Sequence, residues 1–285
     1  VMFDILTTPF DNPDKFKTGK PLKPIITHEE GNFVHFPQLD EIELFGATFK
    51  PFWLADCRDR VERAGLLGEV PEWSKASQRL YLLCHKANIE ALRKNPCISG
   101  YDWWLLQPWY CGSNGLLDVH RRPITVTPEE VRRFNGPVVV LQDGLRQTYS
   151  GGEPARVELM VSNYSGKAFD HGVVTCALVS SGQTLDTRTI DVGTVANGDV
   201  KPLGTLEFAL PDAAEPQCLG IQVSLEAGGL RQSNDWTLWV YPKGAPDLTQ
   251  QAPLYASSDT MSLLAPFLPQ PMPDREALPS PAVYV

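Results

Sequence analysis

The sequence predicts an α/β portion followed by an all-β portion, and three stretches carry that reading. Pro24-Ile25-Ile26-Thr27-His28-Glu29-Glu30-Gly31 is a short β-branched run that ends abruptly in charge. Charged residues at the carboxyl end of a buried strand are where α/β barrels keep their chemistry. Ser74 to Lys94 repeats apolar residues at helical spacing. From Val138 to Tyr241 helical periodicity disappears, and short alternating strands separated by turn residues take over, the pattern of an immunoglobulin-like β-sandwich.

In chain order, Phe3 to Leu6 reads as a strand, followed by a turn-rich loop that carries Asp11 and Asn12. The strand Pro24 to Glu29 comes next. Strict alternation puts Ile25, Thr27 and Glu29 on one face and Ile26, His28 and Glu30 on the other. One of the adjacent carboxylates should therefore look into a barrel mouth and the other away from it. His35 to Lys50 reads as a loop crossing the surface. Pro51 to Ala64 reads as a helix with Phe52, Leu54 or Ala55, and Val61 inward, and Gly65 as its cap. In the helix Ser74 to Lys94, Leu80, Leu83, Cys84, Ala87 and Ala91 form the apolar stripe. Arg93 and Lys94 occupy the last turn, where the helix dipole favours cations, and Pro96 ends the helix.

Ile98 to Leu106 is an apolar strand, followed by an aromatic, glycine-bearing loop with Trp109 and Tyr110. Thr127-Pro128-Glu129-Glu130 has a capping threonine, proline at the first helical position and acids in the first turn, and so opens a helix to Phe134. The expected sandwich strands are Val138–Leu141, Arg156–Asn163, Val173–Ser180, Leu185–Val192, Gly204–Ala209, Cys218–Glu226 and Trp236–Tyr241. A proline-rich linker follows. The expected division is thus 1–135 α/β, 136–243 sandwich and 244–285 linker leading to a further domain.

The 285 residues, 42% hydrophobic and 21% charged, suffice for a sizeable core. A net charge of −9 argues against nucleic acid or an anionic membrane as partner, since both demand a basic face. No apolar run approaches the roughly 20 residues of a membrane span. The six cysteines form no CxxC pair and read mostly as buried thiols, a Cys176–Cys218 bridge being the alternative. With no HExxH and no second ligand at zinc-like spacing, His28 does not read as a metal ligand, and no cofactor is expected. There is no GxSxG elbow and no glycine-rich dinucleotide turn. The chain opens and closes as if within strands and reads as an excerpt of a longer polypeptide, whose upstream and downstream domains would be its partners.

Lys23 to Gly31 resembles the seventh barrel strand of family 2 glycoside hydrolases, which ends in a glutamate, one further residue and a glycine. Gly100-Tyr101-Asp102-Trp103-Trp104-Leu105-Leu106-Gln107 is similar to that family's eighth strand with its tryptophan. Asn234 to Pro242 resembles the closing strand of a sandwich in β-galactosidase-like members. The resemblance covers roughly residues 1 to 243. It implies the C-terminal portion of a (β/α)8 TIM barrel, a following sandwich and a carbohydrate substrate.

The same resemblance implies that Glu29 is the nucleophile of a retaining exo-acting β-glycosidase. In such enzymes one carboxylate attacks the anomeric carbon and a second, about 5 Å away, protonates the leaving oxygen. His28 and Asn32 would surround the ionised nucleophile. Trp103, or alternatively Trp104, would form the wall against the sugar. The family's acid/base glutamate follows an asparagine, and no Asn-Glu pair occurs in the sequence. That carboxylate is expected upstream. The rival readings are a catalytically inactive carbohydrate-binding homologue and a scaffold of sandwich modules; the latter leaves the His-Glu-Glu strand end without a role.

Overall fold

The computed structural model describes residues 24–46, 49–95, 98–109, 112–244, 254–261, 270–271 and 283–284. The expected strand Phe3–Leu6, the loop with Asp11 and Asn12, and Tyr110 lie outside these residues.

Two strands, β1 (Ile25–Glu30) and β2 (Ile98–Trp103), pair in parallel. Parallel neighbours need a long crossover, and here α1 (Phe52–Arg63) and α2 (Val70–Lys94) supply it. The expected surface loop contains a short 3-10 helix, Leu39–Leu44. One parallel βαβ unit is what the described residues form, and a closed barrel is not among them. Its core gathers Phe33, Tyr81, Leu82, Ile89, Ile124, Val126 and Phe134, while Leu39, Leu54, Val61 and Val70 pack as a satellite around α1. Phe52, expected inward, is 65% exposed, because it opens the helix at its outer edge.

Helix α2 buries a different face from the one its apolar stripe suggests. Leu80 and Leu83 are half exposed, whereas Gln78, Tyr81, His85, Asn88 and Leu92 are buried. Ser74, Asn88 and the side-chain carbonyl of Gln78 have partners there, whereas Gln78 Nε2 and the His85 ring nitrogens have none among the described residues. Ser74 Oγ donates to the Pro37 carbonyl at 3.0 Å, and Gln78 Oε1 accepts from the Thr125 amide at 2.9 Å. Satisfied polar groups are buried at little cost, which leaves the Leu80–Leu83–Ala87 stripe to line a cleft beside the β-sandwich.

α3 (Pro128–Asn135) starts as the sequence requires. Thr127 Oγ1 accepts from the Glu130 amide, and Glu130 Oε2 accepts from the Thr127 amide, a reciprocal capping box. Eight strands follow: β3 (Val138–Asp143), β4 (Thr148–Ser150), β5 (Pro154–Asn163), β6 (Phe169–Ser180), β7 (Gln183–Val195), β8 (Val200–Ala209), β9 (Gln217–Ala227) and β10 (Leu230–Tyr241). They form two sheets, β4-β10-β9-β6-β7 and β3-β5-β8. All seven expected strands are present; β4, three residues pairing in parallel with β10, has too short a pattern to be read from sequence. Alternate residues of both sheets, among them Val157, Leu159, Val174, Leu178, Ile221 and Leu225, make one dry core. Cys176 is buried in it and Cys218 is exposed, and both are free thiols.

The sandwich is joined to α2 through a buried polar network. Asn234 on β10 donates to Glu90 Oε1 at 2.7 Å and to the Val140 carbonyl at 2.8 Å. Trp236 Nε1 donates to Glu90 Oε2 at 2.8 Å, and Lys86 pairs with Glu90, donates to Asn234 Oδ1 at 2.7 Å and lies over the Trp236 ring. Around it run Arg133–Asp235 at 2.6 Å and Lys94–Asp143 at 3.1 Å. The Asn234-Asp235-Trp236 stretch is therefore a domain anchor as well as a strand.

Where a linker was expected, β11 (Leu254–Ala256) is flanked in parallel by β12 (Gln270–Pro271) and β13 (Val283–Tyr284), with a helical turn Ser258–Met261 between. Short segments within this proline-rich stretch pair with one another, and Ala256 is fully buried.

Candidate active site

The end of β1 is not a regular strand. Thr27 pairs with Tyr101 and Glu30 with Trp103, so three steps on β1 match two on β2. This is a β-bulge, and Glu29 within it sits at φ 58°, a left-handed conformation that non-glycine residues rarely adopt. The bulge overturns the expected face-sharing of Glu29 with Ile25 and Thr27, because one extra residue reverses the alternation beyond it. Glu30 thereby falls on the helix side, where its Oε2 accepts from Asn88 Nδ2 at 3.0 Å. Glu29 lies on the open side, its side chain 46% exposed, with its carboxylate 3.7 Å from His28 Nδ1. His28 Nε2 in turn lies 3.8 Å from Asp102 Oδ2 on β2. Glu29, His28 and Asp102 thus form one exposed charged row across the two strand ends. Asp102 was not singled out from the sequence; it lies on β2 between Tyr101 and Trp103, opposite the bulge, and only the pairing of the two strands brings it there.

Gly31 turns the chain directly after the bulge at φ 78°, and a Cβ there would overlap the His85 imidazole. Both requirements select glycine. His85 is fully buried, stacked on Trp103 at 4.4 Å and edge-on to Phe33 and Tyr81. Burial drops its pKa to about 3, so the ring is neutral. Trp103 also packs near Phe134, within the apolar cluster between strand and helices. Trp103, expected at the sugar wall, is partly buried, with its ring packed against this cluster. Trp104 lies outside that cluster, its amide donating to the Glu30 carbonyl at 3.0 Å. The structure therefore brings Glu29, His28 and Trp104 to one end of the strands. Asn32 joins that end through the following loop, accepting at Oδ1 from Asn114 Nδ2 at 3.2 Å. Asn114 is in turn held by Tyr81, whose hydroxyl donates to its carbonyl at 3.1 Å.

Among the described residues no three His, Cys, Asp or Glu side chains are grouped to hold a metal ion. No helix among them is long and apolar enough to cross a membrane.

The family described as a domain of unknown function (DUF8488) matches residues 153–242, within the sandwich. No curated protein matches the sequence. Among solved structures, the chain is similar to the β-D-mannosidase of Dictyoglomus thermophilum, with a TM-score of 0.46 and 19% identity, over 66% of this chain and 21% of that one. It is similar to the exo-chitosanase of Amycolatopsis orientalis with a TM-score of 0.42 and 16% identity, over 62% of this chain and 20% of that one. For the β-glucuronidase of Parabacteroides merdae the values are 0.28 and 15%, over 36% and 14%. The chain spans about a fifth of the length of the first two. The likeness is a distant one of chain path over part of each molecule.

Proposed function

We propose that this chain is the barrel end and following sandwich of a retaining, exo-acting β-glycosidase of the family 2 type, with Glu29 as its nucleophile. The observation that carries the reading is the bulge: of two adjacent carboxylates, Glu30 is tied to α2 and Glu29 is turned out to the open strand end beside His28. Backbone in a sparsely populated conformation concentrates at sites where one side chain must be aimed.

In the first half-reaction the Glu29 carboxylate attacks the anomeric carbon as the glycosidic C–O bond breaks, and the leaving oxygen takes a proton from a second carboxyl group upstream of these residues. In the second, water attacks the same carbon, that carboxylate takes its proton, and Glu29 is released. His28 Nδ1 lies 3.7 Å from the Glu29 carboxylate and borders the same open strand end. Trp104, the residue after β2, is the proposed wall of the sugar site, since an aromatic ring suits the C–H side of a pyranose.

The test is covalent trapping in the full-length protein. An activated fluorosugar β-glycoside with a dinitrophenolate leaving group needs no acid, so it should add one sugar mass to the peptide carrying Glu29. Glu29→Gln should abolish both labelling and turnover while leaving the melting temperature near that of the parent, and Glu30→Gln should retain most activity. Sugar binding without labelling or turnover would instead establish an inactive carbohydrate-binding homologue.

A further inference from the structure

Glu29 and Glu30 are chemically identical neighbours, and which of them reaches the open face depends on one extra residue in β1. With the bulge, Glu29 points out and Glu30 points to α2; in a regular strand the two would exchange faces. The choice is therefore made behind the strand. There, Asn88 is 5% exposed and donates from Nδ2 to Glu30 Oε2 at 3.0 Å. On the opposite side of the same helix, Lys86 and Glu90 are locked into the sandwich by Asn234 and Trp236. The helix is held from both sides, so Asn88 is a fixed donor rather than a mobile one. A second tie, the Trp104 amide to the Glu30 carbonyl, fixes the backbone of the same residue.

We infer that Asn88 is a positioning residue of this site: by holding Glu30 against α2 it selects Glu29 as the presented carboxylate. The inference rests on Glu29 being the nucleophile. It assigns no substrate contact to Asn88, which acts only through Glu30. The chemistry of the pair is directional, an amide N–H donating to a carboxylate, and this makes it testable by exchange.

Asn88→Asp keeps the shape but sets two carboxylates against each other. In the full-length protein, labelling of Glu29 by the activated fluorosugar (gluco, galacto and manno configured, in parallel) should slow by about a hundredfold at neutral pH, the scale expected for a reacting group displaced by an ångström. Affinity for a sugar-like competitive inhibitor should change far less. The rate should recover as the pH falls, because protonating one carboxyl restores a donor. Combining Asn88→Asp with Glu30→Gln exchanges amide and carboxylate, and should recover most of the neutral-pH rate. A helper residue with a purely structural role would show neither the acid recovery nor the rescue. Labelling of Asn88→Asp at the parental rate, or a folded double variant as slow as the single one, overturns the inference alone. If Asn88→Asp fails to melt cooperatively, the double variant decides by itself. Absence of any label on Glu29 in the parent overturns the proposed function, and this inference with it.

Discussion

Trp103 and Trp104 are adjacent in sequence and have opposite surroundings. Trp103 stacks on the buried His85 ring and packs near Phe134, whereas Trp104 stands beyond the apolar cluster at the strand end. Trp103→Ala should therefore cost about 3–5 kcal/mol of stability, as large-to-small changes in a core do, and be read directly as a lowered denaturation midpoint. Trp104→Ala should leave the midpoint near that of the parent and weaken binding of a sugar-like inhibitor in the full-length protein. The reverse pattern would mean that β2 presents its faces the other way round. Two tryptophans in a row announce that one is core and one is not. Their order follows from the side of β2 that α2 covers, and no local pattern states which side that is.

At the scale of elements, the 3-10 helix Leu39–Leu44 and the loop after β2 meet at a pair of buried acids, Glu41 and Asp118. Asp118 accepts from the amides of His120 and Arg122, each at 2.8 Å, and pairs with the Arg122 guanidinium. Glu41, 3% exposed, lies beside it. Burial, reinforced by the Asp118 charge, raises the Glu41 pKa to about 7 against the opposing pull of the Val119 amide and Arg122; Asp40 adds to the rise. The folded state thus keeps a proton that the unfolded chain loses near the ordinary value of 4.5. Its contribution to stability is full below that value and lost as the pH rises to about 7. His85 acts with the opposite sign, since its folded pKa of about 3 lies below the ordinary 6.5 and stability falls as pH drops between them. Glu41→Gln isolates the first effect. The melting temperature of the variant minus that of the parent should grow between pH 4.5 and about 7, and a difference that stays flat with pH would contradict this origin. The acidic character of the segment is plain in the sequence, but the meeting of Glu41 with Asp118, far along the chain, is a product of the fold.

At the scale of the whole molecule, the sandwich has a self-contained core, and residues 136–243 are expected to fold alone, giving a cooperative melt. It should melt lower than the full chain, because Val139 and Leu141 on β3 are fully buried yet lie outside that core, on the side where α3 packs. The junction itself is polar and unforgiving. Glu90→Ala would strand Lys86, whose ammonium burial already holds below its usual pKa range, and would leave the Trp236 indole N–H unpaired. Removing one partner of a buried pair typically costs about 3–5 kcal/mol, so thermal melting of the full chain should show a large loss. A change within experimental scatter would show that water takes over the role of Glu90.

The sequence by itself determined the order of elements: an apolar strand ending in charge, a long helix, a second strand, a capped helix and seven sandwich strands, all carried by periodicity and turn chemistry that act over a few residues. It also marked the His28-Glu29-Glu30 strand end as the chemical focus. Only the tertiary structure decided which way these elements face. The buried side of α2 is the more polar one because β1 and the neighbouring loops supply partners for Ser74, Gln78 and Asn88. Glu29 faces outward because a bulge, defined only by pairing with β2 and by the tie of Glu30 to Asn88, reverses the alternation that a lone strand would obey. Local patterns encode the period of an element; its orientation is set by partners distant in sequence.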